Sequence, residues 1–139
     1  GEDIPDWQQE MIDDMIAHAR VEDPNECCGV IAGVKGNAGR GYRITNTAAS
    51  PFRYLMDPQE FLNADKDAES RDMSLVAFYH SHTHSAPYPS DTDVRMALES
   101  GWLDPFYILV SLENKDDPEV RLYTITPEGE IVEAEFRVV

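Results

Sequence analysis

The sequence predicts one α/β domain spanning residues 1–139, with helices packed against a mixed β-sheet. Three observations carry that expectation. Apolar residues recur at helical spacing near the N-terminus. Short apolar runs bounded by turn residues fill the middle, and two alternating runs close the chain. A chain of 139 residues with 42% hydrophobic content suffices for one buried core.

Each element follows in order. Trp7, Met11, Ile12, Met15, Ile16 and Ala19 share one face, which predicts a helix over 7–20 with Asp6 and Gln9 as its capping box. Residues 28–34 form an apolar run ended by Lys35-Gly36-Asn37, read as a strand and turn, with a partner strand at about 40–46. Asp57-Pro58-Gln59-Glu60 starts a helix to about Ser70, with Asp57 as N-cap, Pro58 at the first position and Glu60 completing a box. Residues 74–80 are apolar almost throughout, as in a strand covered on both faces. Ser90 caps a helix through about Glu99, and 106–112 forms another strand. Residues 120–125 and 132–138 alternate around a turn at 127–130 and read as a hairpin.

The charge narrows the partners. Twenty-seven acids against 11 bases leave a formal charge of -16, which opposes nucleic acid and anionic membrane surfaces. No apolar run spans a bilayer and no secretory signal is legible; Gly1 in place of Met points to a trimmed start. Cys27 and Cys28 are adjacent and poorly placed to bridge each other, so a cytoplasmic address is expected.

Three of the four histidines fall in His80-Ser81-His82-Thr83-His84. Side chains two apart on a strand point the same way, so His80 and His82 present paired imidazoles at a strand end. Asp93, reached through a loop stiffened by Pro87 and Pro89, supplies a third donor. Two histidines and an aspartate suit a catalytic zinc with water in the fourth position, its pKa lowered to roughly 7. Glu26, directly before an apolar strand, is the candidate proton acceptor; Ser90 is the candidate hydrogen-bond donor to an oxyanion.

Each residue also has a plainer reading. Ser90 and Asp93 are an acceptable helix capping box. Histidines on strands are commonly structural, and a lone glutamate commonly lies on the surface. His84 is an alternative third ligand, His18 reads as a polar-face helix residue, and the cysteines read as inert filler. The joint pattern weighs against coincidence. His-x-His, seven residues, then Ser-x-x-Asp fixes four identities, with an apolar strand before and a helix start after.

These residues, with Asn25-Glu26-Cys27-Cys28-Gly29-Val30-Ile31-Ala32-Gly33 upstream, resemble the JAMM (MPN+) zinc metalloprotease family, in its stand-alone prokaryotic form. The resemblance covers nearly the whole chain. It implies a curved mixed sheet flanked by helices, similar to cytidine deaminases, and one zinc per chain at the positions matching His80, His82 and Asp93. Glu26 matches the family's general base and Ser90 its oxyanion-stabilising serine. The spacers 47–56 and 99–106 are too short for the insertions by which eukaryotic relatives select polyubiquitin linkages. The implied substrate is a ubiquitin-like or sulfur-carrier β-grasp protein, cut at the peptide or isopeptide bond after its C-terminal Gly-Gly. Two readings compete: a structural metal-binding module that recruits a partner without hydrolysis, and a RadC-type DNA-repair protein sharing the His-x-His…Ser-x-x-Asp core. The acidic charge opposes the second.

Overall fold

The computed structural model describes residues 4–139. Among them the chain runs β1 (Asp6–Trp7), α1 (Gln9–Glu22), β2 (Cys28–Val34), β3 (Asn37–Ile44), α2 (Pro58–Ser70), β4 (Ser74–His82), α3 (Asp91–Ser100), β5 (Phe106–Ser111), β6 (Glu119–Ile125), β7 (Ile131–Ala134) and β8 (Arg137–Val138). Six strands form one mixed sheet in the order β3-β2-β4-β5-β6-β7. Only β4 and β5 pair in parallel within it. A parallel pair needs a crossover connection, and α3 lies on it.

The two faces of the sheet carry separate cores, because side chains alternate along each strand. Tyr79, Ile31, Ile108 and Leu122 pack with Trp7, Met15 and Ala19 on the α1 side. Phe78, Val30 and Tyr107 pack with Ala64 and Ala68 of α2 and Ala97 of α3 on the other. β4 is therefore buried from Leu75 to His82, as its unbroken apolar run requires.

Local signals set most boundaries. Lys35 and Gly36 both take positive φ (54° and 83°) in the two-residue turn between β2 and β3, the geometry that suits strand twist. Asp57 Oδ2 accepts the Glu60 N–H at 2.9 Å, and Pro58 opens α2. The Glu60 carboxylate does not complete the box. It accepts instead from Thr45 N and Oγ1 at 2.9 and 3.1 Å, fastening α2 to the end of β3.

The structure departs from the sequence expectation in four places. Trp7 lies outside the helix: its indole is fully buried, edge-on to Phe136 with ring centroids 6.5 Å apart, and Nε1 donates to Gly36 O. Asp6 caps nothing; it pairs with Arg137 Nε at 2.8 Å, and α1 begins after Gln8 without a side-chain cap. The last predicted strand divides. Ile131–Ala134 stays on the sheet edge, while Arg137 and Val138 leave to pair in parallel with Asp6 and Trp7. Finally, β4 continues to His82, which puts both histidines of the pair on the strand itself.

Candidate active site

β2 and β4 build the floor of the site. Cys28 sits opposite His80 in their antiparallel ladder. Ser81 N donates to Cys27 O at 3.1 Å, and Cys27 N donates to Ser81 Oγ at 2.8 Å, so the pairing continues past the strand end. One residue further back, Glu26 leaves the ladder, its N–H donating to Ser50 O at 2.9 Å. Residues paired across a ladder share a face. His80 and His82 thus face the side covered by α2 and α3, and Glu26 lies near enough for its carboxyl to feel the charge of both.

The third donor arrives from α3. The Asp93 carboxylate points back to the sheet, with Oδ2 3.0 Å from His80 Nε2 and 3.1 Å from His82 Nε2. The two imidazole nitrogens are 3.3 Å apart, and all three residues are buried. Burial works against the charge on Asp93, but attraction to His80 and hydrogen bonds from both imidazoles and from Ser90 N outweigh it. The carboxyl is held well below the usual range. For His82, burial opposes protonation, yet its bonds to Asp93 and Ala86 O raise its pKa.

This donor set fits a cation. His82 Nδ1 lies 3.0 Å from Ala86 O, which can only accept, so Nδ1 carries hydrogen. Nε2 is then the nitrogen that faces Asp93: with a proton it donates to Oδ2, and without one it offers its lone pair, beside the carboxylate, to a cation. Zinc–nitrogen bonds of about 2.0–2.1 Å at tetrahedral angles separate donor atoms by about 3.3 Å, close to the spacing here.

Glu26 is 4% exposed, and its Oε1 has no hydrogen-bond partner. Burial raises its pKa to about 7, offset in part by attraction to His80 and His82. A buried carboxyl with a free oxygen and a near-neutral pKa is suited to proton transfer. A polar cavity of about 260 Å³ opens beside it, lined also by His18, Arg43 and Asn46.

Ser90 serves first as the N-cap of α3. Its Oγ accepts from Asp93 N at 3.1 Å, and its own N–H donates to Asp93 Oδ2 at 2.9 Å. The hydroxyl hydrogen stays free to donate. His84 does not join the cluster: it is exposed, and its Nδ1 contacts Thr83 Oγ1 at 2.9 Å. His18 is not on a polar face. It is 5% exposed with Nδ1 2.7 Å from the Tyr79 hydroxyl, and burial lowers its pKa. Cys27 and Cys28 are free and buried, as expected for filler.

Two contributors escaped the sequence reading. Tyr54 stacks on His80 with ring centroids 4.4 Å apart, and it is buried. Asn46 ties Glu26 to the 47–56 loop: its Nδ2 donates to Glu26 O and Arg53 O, while Oδ1 accepts from Ala48 N and Leu55 N. An aromatic and an asparagine in a loop carry no periodic signal that marks them.

The chain is similar to proteins of one family. The CysO-cysteine peptidase of Mycobacterium tuberculosis is 39% identical over 132 residues, covering 94% of this chain and 88% of the relative. The desampylase of Haloferax volcanii is 34% identical over 110 residues, covering 74% and 77%. Among solved structures, protein DSY2949 from Desulfitobacterium hafniense superposes with a TM-score of 0.80 at 30% identity, covering 98% of this chain and 93% of that one. The family model for prokaryotic homologs of the JAB domain matches residues 8–126, and the chain belongs to that family.

Proposed function

We propose that this protein is a zinc-dependent peptidase or isopeptidase, with one zinc per chain. It cuts after the C-terminal Gly-Gly of a ubiquitin-like or sulfur-carrier β-grasp protein. One observation carries the reading: a buried glutamate with an unpartnered oxygen, coupled electrostatically to three converging donors.

His80, His82 and Asp93 hold the ion. Zinc, when bound, supplies Lewis acidity, lowering the pKa of a water to about 7 and polarising the scissile carbonyl. Glu26 accepts the proton of the attacking water and delivers it to the leaving amine nitrogen. Burial, which raises its pKa to about 7 in the metal-free chain, favours a carboxyl able to hold the proton between the two transfers. Ser90 Oγ–H donates to the carbonyl oxygen as that oxygen gains charge. The cavity beside Glu26 gives the leaving group room.

The donor set is deeply placed, with His80 1% and Asp93 8% exposed, which favours a tail without side chains. The relatives' names support peptidase chemistry, and one names a CysO-cysteine substrate. The free, buried cysteines accord with a cytoplasmic location. Among the described residues no helix is long and apolar enough to cross a membrane. A purely structural metal module calls for a fourth protein donor, and exposed His84 is poorly placed to be one.

The test is Glu26→Gln, assayed against a β-grasp protein extended past Gly-Gly by cysteine or joined there to a lysine peptide. Zinc content stays at one per chain, while cleavage read by mass spectrometry falls about 10²–10⁴-fold. Normal cleavage by this variant removes Glu26 from the mechanism.

A further inference from the structure

Three consecutive carbonyls in the loop between β4 and α3 are each held by a side chain from a different strand. Ser111 Oγ, on β5, donates to Ser85 O at 2.6 Å. His82 Nδ1, on β4, donates to Ala86 O at 3.0 Å. The Tyr123 hydroxyl, on β6, donates to Pro87 O. All three donor residues are buried. Ser111 Oγ also accepts from Glu113 N at 3.1 Å, so its hydroxyl bonds in both directions. Tyr88 packs edge-on against Tyr123, with centroids 5.5 Å apart.

The middle bond of this set reaches a metal-ligand histidine. An imidazole's tautomer and ring angle follow from what its second nitrogen meets. Here that partner is a loop carbonyl, and Ala86 is itself exposed. A carbonyl in an exposed loop orients a ring only as well as the loop is held. The carbonyls on either side are the two that Ser111 and Tyr123 hold.

We propose that Ser111 and Tyr123 are positioning residues for cation binding. They clamp residues 85–87 so that the Ala86 carbonyl keeps hydrogen on His82 Nδ1 and aims Nε2 at the ion. The proposal rests on the metal reading above, and goes beyond it by assigning residues that touch neither ion nor substrate. Register fits the role: Ser111 is the β5 partner of His82.

The experiment measures zinc dissociation constants of the full chain by chelator competition, and the ligand-field spectrum of the cobalt-substituted protein. Tyr123→Phe and Ser111→Ala are each expected to weaken zinc binding about 10-fold and to shift the cobalt bands. Tyr107→Phe is the control. It deletes a hydroxyl bond of the same kind, to Trp102 O at 2.6 Å, on a strand of the same sheet. It is expected to lower the melting temperature and leave zinc affinity unchanged. Should Ser111→Ala fail to fold, Tyr123→Phe, which removes one oxygen, decides alone. Wild-type zinc affinity in Tyr123→Phe overturns the clamp, as does an equal loss in Tyr107→Phe. A wild-type chain with no zinc affinity overturns the metal reading itself, which is a separate outcome.

Discussion

Asp93 Oδ2 accepts the backbone N–H of Ser90 at 2.9 Å and lies 3.0 Å from His80 Nε2. One oxygen atom thus belongs both to the start of α3 and to the donor cluster. The capping box of Ser90 and Asp93 and the proposed ligand role of Asp93 are therefore compatible in one geometry.

Asp93→Asn separates the two duties. An amide oxygen still accepts from Ser90 N, so the helix start survives at a cost of about 1 kcal/mol or less. The negative charge is gone, and with it most of the zinc affinity. Calorimetric titration and thermal melting, run together, check this. Full zinc affinity in the variant removes Asp93 from the ligand set.

Ser90→Ala deletes the acceptor for Asp93 N and the free hydroxyl hydrogen in one step. Stability falls by about 1 kcal/mol through the lost cap. The rate falls by more, about 10²–10³-fold in kcat, if the hydroxyl stabilises the oxyanion. Ser90→Thr restores both. A stability loss with no change in kcat reduces Ser90 to a cap.

Glu26 makes the metal-free protein sensitive to pH. Burial raises its pKa from 4.5 to about 7 in the folded chain. Between those values the folded carboxyl keeps a proton that the unfolded chain has released. Its stability contribution is therefore full below 4.5 and is lost as pH rises through 7. Glutamine mimics the protonated acid at every pH. In chelator, Glu26→Gln should match wild type at about pH 4 and grow progressively more stable relative to it up to about pH 7, then hold a constant margin. Denaturant melts across this range read the margin. One that does not change with pH shows that Glu26 is not perturbed by burial.

The cysteines should be silent. Burial pushes the Cys27 thiol up to about 12, and Cys28 higher still. Both are about 1% exposed or less. A thiol reagent at neutral pH should label neither in the folded protein and both in denaturant. Rapid labelling of the native chain would expose an opening of β2 that the ladder geometry does not contain.

Much of this protein was written locally in the sequence. The two-residue spacing of His80 and His82 placed both rings on one face, because side-chain direction repeats every second residue in a strand. Asp57-Pro58 and Ser90-x-x-Asp93 set helix starts through bonds spanning three residues. The apolar run 28–34 matched β2 at both ends. Contacts between distant segments decided the rest. Trp7 fits a helical period with Met11, yet its indole is drawn to Phe136 near the other terminus. The 132–138 alternation is uniform, but Arg137 and Val138 find partners in β1. His18 looks like a surface residue until Tyr79 meets it.

The site divides in the same way. Residue types and spacing marked Glu26, His80, His82, Ser90 and Asp93 as candidates. Only the β2–β4 pairing brought the segment carrying Glu26 beside the histidine strand, and only the packing of α3 turned Asp93 toward both rings. Periodicity reports which face a side chain takes. It holds no information on which distant strand will pair beside it, because that is settled by burying both faces of the sheet at once.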